Sequence, residues 1–144
     1  MRVLMTIAVC AVALCGCTTS GRSYMSEIRT EVWSEPVEVT LPNGDTLSMY
    51  DLVIALRHDN SLNGSRVDMT VRTVTPDSLW VEEQLSMGVG DDGRSSSLSH
   101  ETSCIYRRNV RLAREGNYRI IVTPQHPVRG VTAVGVDMSK SLKE

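Results

Sequence analysis

Cys17 is the residue whose type and position point most directly to a chemical reaction, the acylation of a thiol. It closes the sequence Leu-Cys-Gly-Cys at positions 14–17, directly after an apolar run over residues 3–14. Arg2 supplies positive charge ahead of that run, and the small Gly16 stands immediately before the cysteine, where a lipoprotein signal peptidase cuts. The run is too short to span a bilayer, which needs roughly 20 apolar residues.

The pattern predicts that residues 1–16 are a cleaved lipoprotein signal peptide and that Cys17 is the lipidation site. The acylated cysteine would hold the protein in a lipid bilayer, because several acyl chains together anchor a protein stably. An ordinary secretory signal is the alternative interpretation. Gly16 is the one small residue that directly precedes a cysteine in this segment, which favours the lipoprotein signal.

The residue types that support catalysis are not arranged for it in this sequence. The histidines His58, His100 and His126 each lie in or beside a turn, and none has the paired spacing of a hydrolytic zinc site such as H-E-x-x-H. The chain also lacks a G-x-S-x-G elbow, a phosphate-binding glycine loop and a C-x-x-C pair. We therefore expect solvated histidines, no metal site, no cofactor and no enzymatic activity. A hydrolase whose site is not recognisable in one sequence is the alternative.

Three residues are candidates for binding a partner. Arg107 and Arg111 are expected to share the polar face of one strand, in a C-terminal half rich in arginine. Such a face can dock an acidic partner or anionic lipid head groups, although a solvated face paired with neighbouring carboxylates is the more frequent outcome. Trp80 is predicted to lie opposite the apolar face of its strand, where carbohydrate-binding sandwiches expose an aromatic platform. A buried anchoring role is the alternative for this tryptophan.

Charge and cysteine content narrow the class of partner and the source of stability. The chain has 15 basic and 17 acidic residues, so its bulk charge argues against nucleic-acid binding. Cys104 is the one cysteine left besides the predicted lipidation site, so no intramolecular disulfide is expected in the exported protein. Its place in an alternating strand predicts a small buried side chain and not a reactive thiol.

Apolar residues recur with the period of two that is typical of β-strands. Residues 48–57 place four large apolar side chains on one face and have a semi-apolar opposite face, which predicts a central strand. Residues 66–73 alternate more cleanly and predict a half-buried strand. Residues 79–87 also fit a strand, although the preceding Thr-Pro-Asp could instead begin a helix. Residues 131–138 predict a final strand.

Turn sequences separate these strands at short intervals. Residues 88–99 are rich in Gly, Asp and Ser and predict an exposed loop, while residues 114–117 predict a tight hairpin turn. Many short strands with this spacing indicate an all-β protein. We predict a single β-sandwich of about 7–8 antiparallel strands. The predicted organisation is a signal peptide (1–16), a lipid-anchor tether (17–23) and a β-sandwich domain (24–144).

Short motifs follow one another in a definite order along the predicted domain. They are an early Tyr and Trp, an apolar strand ending in Leu-Arg, a Pro-Asp turn, and then Asn-Val-Arg, Gly-x-Tyr, Gly-Val and Val-Gly. The positions are Tyr24, Trp33, and residues 47–57, 75–77, 109–112, 116–118, 130–131 and 134–136. With the lipoprotein signal, this series resembles the gliding motility lipoprotein GldH family over essentially the whole domain. The Gly-Trp-rich segment of that family is replaced here by Gly93 and a serine cluster.

The resemblance implies a non-enzymatic envelope lipoprotein that works as a structural or assembly component of the gliding machinery, which is associated with type IX secretion. Its partners would be envelope or gliding-machinery proteins. Thr18 stands where an Asp retention signal would follow the lipidated cysteine, so we expect an outer-membrane location facing the periplasm. A glycan-binding lipoprotein that uses Trp80 and the 88–99 loop is the alternative function.

Overall fold

The computed structural model describes residues 21–90 and 98–142, which form ten β-strands. The strands are β1 (Gly21–Glu27), β2 (Val32–Trp33), β3 (Val37–Asn43), β4 (Met49–His58), β5 (Arg66–Val74), β6 (Trp80–Gly88), β7 (His100–Arg111), β8 (Gly116–Pro124), β9 (Val128–Arg129) and β10 (Val131–Lys140). Nowhere in these residues is there a helix with the length and apolar character to cross a membrane. The predicted signal peptide and Cys17 lie outside the described residues, as do residues 91–97 of the predicted loop.

The eight long strands form two four-stranded antiparallel sheets that pack face to face. Sheet I has the order β1-β10-β4-β7 and sheet II has the order β3-β8-β5-β6. The edge strand β1 lies against β3, and the edge strand β7 lies against β6. The predicted β-sandwich is therefore confirmed. The two-residue strands β2 and β9 pair with each other and add to the 7–8 strands that were predicted.

The hydrophobic core lies between the two sheets and follows the alternation in the sequence. In β4, Tyr50, Leu52, Ile54 and Leu56 are all buried, while Ala55 on the opposite face is buried as well. This strand lies between β10 and β7, so the predicted central position is confirmed. Burying large apolar side chains on one face of each sheet supplies the main stabilisation of such a sandwich.

Strand β5 has the predicted half-buried pattern. Val67, Met69 and Val71 are buried, and the charged residues Arg66 and Arg72 at alternating positions are exposed. Strand β6 confirms the strand prediction for residues 79–87 over the helix alternative. The turn before β6 is closed by two backbone hydrogen bonds, from the Thr75 N–H to the Leu79 carbonyl and from the Ser78 N–H to the Thr75 carbonyl, and Ser78 has a φ of 66°.

The predicted hairpin at residues 114–117 is wrong. Strands β7 and β8 do not pair, because β7 belongs to sheet I and β8 to sheet II. The turn therefore carries the chain from one sheet to the other, and Gly116 at a φ of 125° starts the new strand. A turn-rich sequence fixes a reversal of the chain but not the sheet in which the next strand pairs.

The first strand begins earlier than the predicted domain boundary. Residues 21–23, which were assigned to the tether, are part of β1, where Gly21 pairs with Ser139 and Ser23 with Asp137. The Ser23 hydroxyl also donates a hydrogen bond to the Asp137 carboxylate at 2.5 Å. Gly21, four positions after Cys17, is thus already part of the folded unit.

Candidate partner-binding groove

One side of the sandwich is formed by two edge strands, β6 of sheet II and β7 of sheet I. Two polar contacts join the sheets there. The Arg107 guanidinium forms an ion pair with Glu83, and the hydroxyls of Thr73 and Tyr106 share a hydrogen bond of 2.7 Å. The hydrogen bond that Arg107 donates to Glu83 raises the pKa of Arg107 above its usual range. Glu83 interrupts the otherwise apolar face of β6. Its ion pair with Arg107 on the facing sheet explains how a carboxylate is accommodated there.

A bulge in β7 decides which residues face this side. Val110 stands opposite Tyr50 and Arg107 opposite Leu52, so three steps along β7 match two steps along β4. In a regular strand, residues 107 and 110 would point to opposite faces. The irregularity includes Asn109, whose φ is 54° and whose backbone N–H donates to the Asp51 carboxylate at 2.8 Å.

Below the Arg107–Glu83 pair the two edges enclose an apolar groove of about 310 Å³. We call it the β6–β7 groove. Its apolar lining comes from both sheets and from the turns that end them: Leu52, Leu79, Val81, Tyr106, Val110, Leu112 and Tyr118. Leu79 is 65% exposed and Val81 49% exposed, although both belong to the period-two apolar face predicted for this segment. They are exposed because sheet I ends at β7 and does not cover the start of β6.

Three arginines also line the groove, and they differ in their partners. Arg107 is paired with Glu83, and Arg114 lies 3.5 Å from the Asp77 carboxylate. A hydrogen bond from Thr75, followed by smaller effects that include Arg114, lowers the pKa of Asp77. Within residues 21–90 and 98–142, Arg111 forms no ion pair. The groove therefore offers apolar surface together with a guanidinium, that of Arg111, with which no described carboxylate pairs.

The turn that carries Leu112 and Arg114 along the groove is held by a buried asparagine. Asn43, at the end of β3, donates from its side-chain amide to the carbonyls of Leu112 and Arg114, both at 2.9 Å. The Tyr118 hydroxyl accepts a hydrogen bond from the Arg114 backbone N–H at 3.0 Å. These bonds fix the turn that links the sheets, and with it the position of the groove residues in that turn.

The structure places the three predicted partner-binding residues in two locations. Arg107 and Arg111 line the same groove, although the bulge separates them and β7 is not the regular polar face expected. Trp80 lies on the outer face of sheet II, beside β6 residues that face the groove. It is 61% exposed, and the Arg72 guanidinium lies 4.5 Å from the centre of its ring. Trp33 is the buried anchor instead.

The histidines differ in their surroundings. The solvated interpretation is wrong for His58, which is buried at the end of β4 and contacts the Thr102 hydroxyl at 3.2 Å. Its ring stacks on His100, with ring centres 5.5 Å apart. His126 is exposed. Within the described parts of the chain, no group of three His, Cys, Asp or Glu side chains is placed to hold a metal ion.

Cys104 is half-buried on β7, and burial raises the pKa of its thiol. A thiol with a raised pKa carries less of the reactive thiolate at neutral pH.

The groove residues Leu79, Val81, Val110 and Glu83 were not predicted from the sequence as a binding site. The sequence feature that could have indicated the site is Glu83, a single carboxylate on an apolar strand face. A carboxylate in such a position predicts a cationic partner, because an unpaired charge is costly to bury.

Comparison with known proteins adds no relative from which the groove could be interpreted. No protein-family model matches the chain, and no curated protein matches it either.

Proposed function

We propose that the protein is a non-enzymatic lipoprotein of the cell envelope, anchored through acylated Cys17, that acts as a structural or assembly component of a larger complex. The β6–β7 groove is the surface that binds its protein partner. The observation that carries this proposal is an apolar groove lined by Arg107, Arg111 and Arg114 and bordered by two sheet edges. The motif order that resembles the gliding motility lipoprotein GldH family supports a role in machinery associated with type IX secretion.

The chemistry of the groove favours a segment of protein with apolar side chains and a carboxylate. Leu79 and Val81 expose apolar surface whose burial by a partner is favourable by about 25 cal/mol per Å². Arg111 supplies a guanidinium that can form two parallel hydrogen bonds with a carboxylate. Such charge-assisted hydrogen bonds are stronger than hydrogen bonds between neutral groups. Exposed strand edges also offer backbone groups to an incoming extended segment.

The lipid anchor determines where in the envelope the protein meets its partner. The sequence at positions 14–17 supports acylation of Cys17, and Thr18 supports a place on the outer membrane facing the periplasm. An anchored domain meets its partners within a thin layer beside the membrane. Its effective concentration there is raised, so a groove of modest area suffices for assembly.

A crosslinked affinity purification from the native envelope tests this function. We would compare the wild type with Cys17→Ala, Val81→Lys and Gln84→Lys. The last two variants place the same cation on β6, in the groove at position 81 and on the exposed outer face at position 84. We expect defined envelope proteins with the wild type and Gln84→Lys, and their loss with the other two. Equal recovery with Val81→Lys and the wild type would remove the groove from the proposal.

A glycan-binding lipoprotein is the second candidate, and the exposure of Trp80 favours it. An indole on the outer face of a sheet, with Arg72 and Glu82 beside it, presents stacking and hydrogen-bonding groups to a sugar. Binding to glycan arrays by the wild type and its loss in Trp80→Ala would support this candidate. If polysaccharide co-purifies from the envelope and no protein is enriched, glycan binding replaces assembly as the leading function.

A further inference from the structure

Two leucines at one end of the sandwich are almost fully exposed. Leu47 is 81% exposed and Leu142 is 92% exposed. Leu47 is presented by an ordered turn, because the Asp45 carboxylate accepts hydrogen bonds from the backbone N–H groups of Leu47 and Ser48, both at 3.0 Å. The side chain is thus directed away from the core by a defined local structure.

Leu142 is held at the same end. After β10, the backbone N–H of Ser141 donates to the carbonyl of Met49 at 2.9 Å, and its hydroxyl donates to Asp51 at 2.7 Å. These bonds place the residue after Ser141 beside the start of β4, where the turn that carries Leu47 ends. Gly21, the first described residue, pairs with Ser139 and lies at this end too. We call it the Gly21 end.

Basic side chains accompany the two leucines. Arg22, Lys140 and Arg111 stand at the ends of β1, β10 and β7. Arg22 and Arg111 form no ion pair with any residue that the structure describes, and Lys140 lies 3.7 Å from Asp45.

Three carboxylates at the Gly21 end are occupied locally. The Asp45 carboxylate accepts hydrogen bonds from backbone N–H groups of its own turn. The Asp51 carboxylate accepts hydrogen bonds from Ser141 and Asn109, and the Asp137 carboxylate accepts one from Ser23. None of these three carboxylates pairs with Arg22 or Arg111, so within the described residues both guanidinium groups can meet anionic groups outside the molecule.

We propose that the Gly21 end rests on the bilayer, with Leu47 and Leu142 inserted among the lipid head groups and Arg22 and Lys140 on anionic lipid phosphates. This inference rests on the acylation of Cys17 in the proposed function. Gly21 is four steps along the chain from Cys17, a reach of at most about 14 Å. Leu98, at the other end of β7, is about 30 Å away along the strands. The tether therefore keeps the Gly21 end beside the lipid surface, and the β6–β7 groove runs from Arg111 at that end toward Arg107.

Fluorescence quenching by lipids tests this orientation. The full-length acylated protein, in a Cys104→Ala background, is reconstituted into vesicles of phosphatidylcholine with or without phosphatidylglycerol. One NBD fluorophore is attached in Leu47→Cys, Leu142→Cys or Leu98→Cys, the last being an exposed leucine at the far end. We expect nitroxide lipids to quench the fluorophore at 47 and 142, with a blue shift, and to leave the fluorophore at 98 unchanged. Equal quenching at 98, or none at 47 and 142, overturns the proposal.

A charge variant tests the basic residues separately. Arg22→Ser should reduce quenching at position 47 in vesicles with phosphatidylglycerol and have no effect in phosphatidylcholine alone. No reduction in either vesicle would remove the electrostatic part of the proposal.

Flotation of the vesicles and the mass of the N-terminal peptide distinguish a failure of the lipid anchor from a failure of the bilayer contact at the Gly21 end. An unmodified Cys17 in a protein that does not float removes the anchor, and with it both proposals. A floating, acylated protein without quenching at 47 and 142 overturns the bilayer contact and leaves the proposed function standing.

Discussion

Replacing Asn43 should destabilise the protein through the turn that carries Leu112 and Arg114 along the β6–β7 groove. Its side-chain amide donates to the carbonyls of Leu112 and Arg114, and its carbonyl accepts a weaker bond from Asp45 at 3.3 Å. In Asn43→Ala, the buried carbonyl of Leu112 loses its partner at a cost of about 1–3 kcal/mol. The carbonyl of the exposed Arg114 can be rehydrated, so that bond contributes about 1 kcal/mol.

The expected loss in free energy of unfolding is therefore about 2–4 kcal/mol, which for a domain of this size lowers the melting temperature by about 8–15 °C. Urea unfolding followed by circular dichroism measures it. Asn117→Ala is the matched control, because Asn117 is exposed on the neighbouring strand and should change stability by less than about 0.5 kcal/mol.

A second substitution separates the hydrogen bonds from side-chain volume. Asn43→Asp keeps the size but turns a carboxylate oxygen toward two carbonyl oxygens, so at pH 7 it should destabilise more than Asn43→Ala. The neutral acid can donate one bond, so the deficit relative to the wild type at the same pH should shrink as the pH falls. An Asn43→Ala protein as stable as the wild type, or an Asn43→Asp deficit independent of pH, would refute the reasoning.

Three further predictions concern the loops, the contact between the sheets and the pH dependence of stability. Gly130→Ala should lose at least about 2 kcal/mol, because φ is 90° and a Cβ would lie 2.7 Å from the Leu62 backbone nitrogen; stability equal to that of Gly44→Ala, where the space is open, would contradict this. Tyr106→Phe should lose about 1 kcal/mol with the Thr73 hydrogen bond, measured by urea unfolding, and an unchanged midpoint would contradict it. The hydrogen bond from Ser48, with others in the same turn, lowers the pKa of Asp45 below the ordinary value of 3.8 for this side chain, so its stabilisation is present above that ordinary value and is lost as the pH falls below it. Asp45→Asn should therefore flatten the acid limb of the stability curve, and a curve parallel to that of the wild type would refute this.

The strands could be predicted from the sequence because their burial is periodic. In β4 and β5, every apolar residue of the alternating face is buried, and local pattern and tertiary packing agree. The pairing partners could not be predicted in the same way. Residues 114–117 were interpreted as a hairpin, yet the turn passes between sheets, since turn chemistry carries no information about which edge the next strand joins.

The candidate site depended on features that periodicity does not encode. The bulge at Asn109 brings Arg107 and Val110 to the same side, whereas strict alternation separates them. The exposure of Val81 arises because the facing sheet ends at β7, a property of the whole sandwich and not of β6. His58 is buried by its position between strands, although its neighbours in sequence are turn residues.

The central claim, that a partner protein binds in the β6–β7 groove, is tested most directly by photocrosslinking in the intact envelope. A photoreactive amino acid at position 81 lies in the groove, and one at position 84 lies on the outer face of the same strand. The account predicts a discrete crosslinked envelope protein from position 81 and none from position 84. No protein adduct at position 81, or the same adducts from both positions, would contradict it.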